Sequence, residues 1–79
     1  RKVNKKILLQ GINIIDLFFQ NGLVQSKSEC RRILKNNGIK INDEVISDDN
    51  KIINMDNVSS KKIIKLSVGK KIHLKVTVV

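Results

Sequence analysis

A short segment of this chain combines basic and hydroxyl side chains at a spacing that suits the binding of phosphate groups. Three of the basic residues recur at every fourth position: Lys27, Arg31 and Lys35. Such residues form one stripe along a helix, and the neighbouring Arg32 adds a second guanidinium group that can hold a phosphate through two hydrogen bonds. The hydroxyls of Ser26 and Ser28 would stand at the helix start, where free backbone amides attract anions.

The alternative interpretation is that this stripe is only the solvated face of an amphipathic helix. Against it, carboxylates that could pair with the stripe are nearly absent, because Glu29 is the one acid nearby and it caps the helix start. Two further lysines stand at a predicted hairpin tip, although a plain solvated turn would also carry lysines. We predict that eight residues contact a polyanionic partner: Ser26, Lys27, Ser28, Arg31, Arg32, Lys35, Lys70 and Lys71.

The other side chains that could do chemistry are better explained by structural roles. His73 is the only histidine and falls on the polar side of a predicted strand, which favours a solvated side chain over a general base. Cys30 is the only cysteine and lies on the apolar face of its helix, whereas a reactive thiol needs exposure. A turn explains the adjacent Asp48 and Asp49. We predict no active site, no metal site and no cofactor in this segment.

Length and charge restrict the possible partners. A chain of 79 residues forms one domain, and its 16 basic and 7 acidic residues give a net charge of +9, which favours nucleic acid or another anionic surface. Residues 1–41 and 57–79 are strongly basic, whereas residues 42–56 are acidic. One unpaired cysteine fits a reducing compartment, and no apolar run approaches membrane-spanning length. Because the chain begins at Arg1, we expect it to be a piece of a longer protein.

Capping signals predict two helices. We interpret residues 1–10 as a linker or N-terminal extension, with a short strand or packing staple at Ile7–Leu9. A first helix should begin after Asn13 and stop at Asn21-Gly22. A second should begin at Ser26, where Ser26-Lys27-Ser28-Glu29 forms a capping box, and stop at Asn37-Gly38.

Alternating apolar residues predict a small sheet. Ile39 to Ile46 reads as a hairpin, Ile52-Ile53 as a weak strand, and Lys62–Val68 with Lys71–Val79 as a second hairpin. The expected fold is α+β, with two or three short helices packed on a small, mainly antiparallel sheet. Trp and Tyr are absent and Phe18 and Phe19 are expected in the core, so binding should rest on phosphates, riboses and RNA shape rather than base stacking.

Residues 22–48, GLVQSKSECRRILKNNGIKINDEVISD, resemble the RNA-binding domain named S-four. This domain is shared by a small-subunit ribosomal protein, several pseudouridine synthases and bacterial tyrosyl-tRNA synthetases. The family pattern is matched here by Gly22, Ser26-Lys27-Ser28, Cys30-Arg31 and Gly38-Ile39-Lys40-Ile41-Asn42. The run Ser26–Ile33, the run Glu44–Asp48 and the terminal Gly69–Val79 hairpin resemble the C-terminal domain of bacterial tyrosyl-tRNA synthetases in particular. The likeness covers residues 11–79, which we take as the S-four-like RNA-binding domain.

This resemblance implies the tRNA-binding part of a tyrosine–tRNA ligase. Such a domain would hold the backbone of tyrosine tRNA near the anticodon stem and the long variable arm. The resemblance further implies that ATP is used by a separate catalytic domain, that the whole enzyme is a cytoplasmic homodimer without membrane contact, and that the isolated domain is a monomer.

Three residues depart from the family pattern. Cys30 replaces alanine, Asn37 replaces a common glycine, and Asp43 replaces the hairpin glycine, so we expect a less well formed turn at Asn42-Asp43. Two alternatives stay open at this point. One is an S-four-type module of a ribosome-associated protein or a pseudouridine synthase, and the other is a generic basic domain for membrane surfaces or acidic proteins.

Overall fold

Short helices and strands alternate along the chain in the computed structural model, which describes residues 1–79. There are three α-helices: α1 (Lys5–Gln10), α2 (Ile14–Gln20) and α3 (Lys27–Lys35). There are seven strands: β1 (Lys2–Val3), β2 (Ile12–Asn13), β3 (Ile39–Ile41), β4 (Glu44–Val45), β5 (Ile52–Ile53), β6 (Ile63–Val68) and β7 (Ile72–Val78). A single 3-10 turn, Met55–Asn57, lies between β5 and β6.

The strands form two sheets of unequal size. The larger has the order β1-β7-β6-β3-β4, and only its β1–β7 pair is parallel. The smaller is the antiparallel pair β2–β5. The predicted α+β class, with short helices on a mainly antiparallel sheet, is confirmed. The predicted weak strand at Ile52-Ile53 and the terminal hairpin are confirmed as β5 and as β6 with β7.

The expectation of a linker at residues 1–10 is wrong for residues 2–10. β1 adds to the edge of the sheet beside β7, with Val3 aligned to Val78. The Ile7–Leu9 run is neither a strand nor a staple, because it lies in α1, whose Leu8 is fully buried. Asn4 caps that helix by accepting a 2.8 Å hydrogen bond from the Lys6 amide. A parallel pairing between the two chain ends leaves no local pattern in the sequence, which explains the error.

The two predicted helices begin and end at the predicted residues. The Asn13 side chain accepts a 2.8 Å hydrogen bond from the Ile15 amide at the start of α2, and Gly22 follows the helix with φ +73°. Asn37 follows α3 in the left-handed conformation, φ +59°, as expected for a residue that replaces glycine. At Gly38 a Cβ atom would lie 2.6 Å from Ile33 Cγ2, so any larger residue would force the Ile33 side chain or the backbone to shift.

The hairpin turn at Asn42-Asp43 is better anchored than its sequence indicates. Both residues have positive φ, +51° and +71°, as a type I′ turn requires. The Lys65 amide donates to Asn42 Oδ1 at 2.9 Å, and the Asn42 amide donates to the Lys65 carbonyl at 2.9 Å. These contacts to β6 offset the weak turn propensity, and they come from a strand distant in the sequence.

One core of 18 buried residues joins the three helices to both sheets. Phe18 is its largest fully buried side chain. The expectation that Phe19 is also core is wrong, because its side chain is 41% exposed. The buried side of α2 consists of Ile14, Ile15, Leu17 and Phe18, and at 3.6 residues per turn Phe19 falls just outside that side.

Candidate RNA-binding surface

Helix α3 turns its apolar side into the core and its basic side to solvent. Cys30 and Leu34 are buried, and they fix the rotation of the helix about its axis. All eight residues that the sequence singles out are exposed: Ser26, Lys27, Ser28, Arg31, Arg32, Lys35, Lys70 and Lys71. The predicted orientation of this helix is therefore confirmed, whereas the assignment of these residues to RNA contact stays a prediction.

The start of α3 is capped by one half of the predicted box. Ser26 Oγ accepts a 3.0 Å hydrogen bond from the Glu29 amide. The Glu29 carboxylate accepts a long 3.5 Å hydrogen bond from the amide of Gln25, not from that of Ser26. The first-turn amides of Lys27 and Ser28 have no acceptor within the helix, so they and the serine hydroxyls can donate to an anion.

Lys27 has a carboxylate partner on a neighbouring helix. Its Nζ lies 3.1 Å from Asp16 Oδ1 on α2 and 5.8 Å from the centroid of the Phe19 ring. Both partners come from a different helix, and helical spacing within α3 could not reveal them. An exposed ion pair is weak, but it reduces the charge that Lys27 offers to a phosphate.

Arg31 lies at a polar pocket of about 310 Å³ between α2, α3 and the loop before β5. Its lining residues are mainly polar: Asn13, Ile15, Asp16, Lys27, Arg31, Asp49 and Asn50. Two cations and two carboxylates therefore share this pocket, which makes it nearly neutral. A phosphate at Arg31 would meet two nearby acids, whereas ribose hydroxyls would find donors and acceptors of both kinds.

Arg32, Lys35 and the hairpin-tip lysines have no carboxylate within 4.0 Å. The tip lies close to α3, because the Gly69 amide donates to the Gly38 carbonyl at 2.7 Å, just beyond the end of that helix. Lys70 and Lys71 thus stand at the same end of α3 as Lys35. The sequence alone gave no sign of this proximity. The free positive charge of the surface is concentrated at the C-terminal half of α3 and at this tip.

His73 is exposed, but both of its ring nitrogens are hydrogen-bonded. Nδ1 lies 2.9 Å from the hydroxyl of Ser67, which is fully buried, and Nε2 lies 3.1 Å from the Lys70 carbonyl. A carbonyl only accepts, so Nε2 carries the proton in the neutral ring and the Ser67 hydroxyl donates to Nδ1. His73 therefore holds the hairpin tip that carries Lys70 and Lys71.

We expect His73→Ala to lower the free energy of unfolding by about 1–3 kcal/mol, because the buried Ser67 hydroxyl loses its partner. The Ser67→Ala/His73→Ala double variant should recover part of that loss, since no unpaired hydroxyl remains. Urea denaturation followed by circular dichroism measures both. A single variant that is no less stable than the double variant would contradict this role.

Cys30 has a structural position and not a reactive one. Burial raises the pKa of its thiol, and the nearby Arg31 charge only partly offsets that effect. A thiol in this state is a poor nucleophile at neutral pH. No group of three or more His, Cys, Asp or Glu side chains is placed to hold a metal ion. None of the three helices has both the length and the apolar character needed to cross a bilayer.

Comparison with known proteins identifies the family. Residues 3–76 match the family model described as the tyrosine–tRNA ligase SYY-like C-terminal domain. The chain belongs to this family. It is 49% identical to the tyrosine–tRNA ligase of Rickettsia africae over 76 residues, which is 96% of the chain and 18% of that protein. It is also 49% identical over 78 residues to the tyrosine–tRNA ligase of Pelagibacter ubique, which covers 99% of the chain and 19% of that protein.

A third relative, the tyrosine–tRNA ligase of Rickettsia prowazekii, is 45% identical over 73 residues, 92% of the chain. The chain spans less than a fifth of the length of these curated relatives. The synthetase branch of the S-four resemblance is thereby confirmed for the chain as a C-terminal domain of that family. The family match begins at residue 3, which agrees with the ordered strand and helix found at the N-terminus.

Proposed function

We propose that this chain is the tRNA-binding part of a tyrosine–tRNA ligase and that it holds the backbone of tyrosine tRNA near the anticodon stem and the long variable arm. In this proposal α3 and the hairpin tip provide the contacts. Arg31, Arg32 and Lys35 bind phosphates, and Ser26 and Ser28 donate at the helix start. Lys27, Lys70 and Lys71 add charge at the two ends of the surface.

The observation that carries this proposal is the unpaired charge at the C-terminal half of α3. Arg32 and Lys35 are exposed and have no carboxylate within 4.0 Å, and the exposed tip lysines, at the same end of α3, have none either. A domain with a net charge of +9 and unpaired cations at one place attracts polyanions before contact and holds them through phosphate hydrogen bonds.

Our proposals about the rest of the enzyme rest only on membership of this family. We propose that ATP is used by a catalytic domain elsewhere in the whole protein and that the whole protein is a cytoplasmic homodimer. The isolated 79-residue domain would be a monomer. In this proposal the domain positions the tRNA and takes no part in the chemical step.

A titration of the domain with three RNAs at two salt concentrations tests the proposal. The RNAs are tyrosine tRNA, the same tRNA with its long variable arm shortened, and an unrelated tRNA. We expect the intact tyrosine tRNA to bind most tightly and to lose affinity when the arm is shortened. Higher salt should weaken all binding, because counterions are released from each phosphate that is contacted.

The outcomes distinguish recognition of the long variable arm from RNA binding in general. Equal and steeply salt-dependent binding of all three RNAs would leave a generic RNA-backbone clamp and overturn the preference for the variable arm. Binding to vesicles of anionic lipid with no binding to any of the three RNAs would overturn the RNA-binding role itself.

A further inference from the structure

The larger sheet has a second face, which points away from the core. Strand register determines the side chains on it: Lys40 is aligned with Ser67, Ser67 with His73, Lys65 with Lys75, and Lys2 with Thr77. The residues that alternate with these lie on the other face and include the buried Ile39, Ile41, Ile64 and Leu66. Four strands thus each place one lysine on the open sheet face: Lys2, Lys40, Lys65 and Lys75.

The open sheet face is rich in positive charge and poor in negative charge. Lys2 and Lys75 are exposed, and Lys40 and Lys65 are half-buried. Lys65 and Lys75 stand directly opposite each other on neighbouring strands, a position at which like charges destabilise a sheet. An anionic partner that binds both lysines would reduce this repulsion.

Asp43 is the one carboxylate at this face. Its Oδ1 lies 2.9 Å from Lys65 Nζ, and the Asp43 side chain is 71% exposed. The other six acidic residues lie on α2, on α3 or in segments between residues 44 and 56. Asp43 therefore partly masks one of the four lysines, and its removal would leave the face with no counter-charge.

We propose that the open sheet face is a second RNA-binding surface, separate from α3, on which Lys2, Lys40, Lys65 and Lys75 bind phosphates of the RNA backbone. This inference rests on the proposed function, since it assumes that the chain binds RNA. The face carries no aromatic ring apart from His73, so phosphate contact and not base stacking is the mode that it supports. A membrane is a less suitable partner for this face. Val45 is the only exposed apolar side chain beside Lys40, and its surface is too small to insert into lipid.

The open face and the α3 surface are separated by the core. Helices α1, α2 and α3 contribute buried residues to the same core as the inner face of the sheet. A single phosphate group therefore cannot bridge the two surfaces, and each should contribute its own share of the salt dependence. This separation makes the two surfaces distinguishable by mutation.

The test is a titration of the 79-residue chain with tyrosine tRNA over a range of salt concentrations. The test variant is Lys40→Gln/Lys75→Gln, and the matched control is Lys5→Gln/Lys6→Gln, which removes the same charge from α1. We expect the test variant to bind about tenfold more weakly at low salt and to reduce the salt slope by about 0.7–0.9 for each lost contact. The control variant should keep the wild-type slope, because Lys5 and Lys6 belong neither to the α3 surface nor to the open sheet face.

A second variant should strengthen tRNA binding instead of weakening it. Asp43→Asn should bind the tRNA up to about fivefold more tightly, because it releases Lys65 from an exposed ion pair. Asparagine tolerates the left-handed backbone at this position, so the turn is kept. If Lys65 then gains a phosphate contact, the salt slope should also rise by about 0.7–0.9, and an unchanged slope would contradict RNA contact at this face.

Three results would overturn the inference. A sheet-face variant that behaves like the α1 control, while α3 variants still weaken binding, removes the second surface and leaves the proposed function intact. If the sheet-face variant no longer binds anionic lipid vesicles but binds tRNA as tightly as the wild type, the face is assigned to a membrane. Absence of tRNA binding by the wild-type chain overturns the proposed function and this inference with it.

Discussion

Replacing Arg31 and Arg32 with alanine is expected to weaken RNA binding by about 1–3 kcal/mol for each residue, the usual size of a lost charged hydrogen bond. Each lost phosphate contact should also reduce the slope of log affinity against log salt by about 0.7–0.9. Both side chains are exposed on α3 and neither packs in the core, so the variants should fold normally. A titration of tyrosine tRNA at several salt concentrations measures both quantities.

The two arginines should not be equal. Neither arginine has a carboxylate within 4.0 Å, but Arg31 lines a polar pocket together with Asp16 and Asp49, and Arg32 does not. Arg32→Ala should therefore have the larger effect on the salt slope. Arg32→Lys should lose only part of the affinity, because lysine keeps the charge but not the two-point hydrogen bonding.

The matched control for these variants is Lys5→Ala/Lys6→Ala, which removes two exposed charges from α1. If the double arginine variant binds as tightly as this control, the basic side of α3 is only a solvated helix face. Circular dichroism of each variant shows whether the fold is kept.

Local signals in the sequence predicted the elements that hold this surface. Asn13 and Ser26 each accept an amide hydrogen bond at a helix start, and the register of the terminal hairpin follows the alternation of its apolar residues. The same signals placed Cys30 and Leu34 inward and the basic residues outward. These features depend on neighbours within a few positions, which a sequence displays directly.

Contacts between distant segments could not be predicted in this way. The parallel β1–β7 pair joins the two chain ends, the Asp16–Lys27 ion pair joins two helices, and the Gly69–Gly38 hydrogen bond joins the hairpin tip to α3. Each changes the site: the first orders the N-terminus, the second weakens Lys27 as a phosphate ligand, and the third brings more lysines to α3. The open sheet face also required the register of four strands before its lysines could be seen together.

Phe18→Ala is expected to have the largest effect on stability, a loss of about 3–5 kcal/mol in the free energy of unfolding. Phe18 is the largest fully buried side chain, and alanine would leave a cavity in the single core. A domain of 79 residues has a total stability of roughly 4–12 kcal/mol, so this variant should be partly unfolded at 37 °C. Urea denaturation measures the loss.

The neighbouring Phe19 provides the control for this prediction. Phe19 is 41% exposed, and the centroid of its ring lies 5.8 Å from the Lys27 ammonium. Phe19→Ala should therefore cost clearly less than Phe18→Ala, because the side chain is only partly buried and alanine leaves no enclosed cavity there. Equal losses at the two positions would contradict the orientation of α2, and with it the placement of Asp16 beside Lys27. A large loss at Phe18 alone would support the orientation of α2 that places Asp16 and Phe19 beside Lys27.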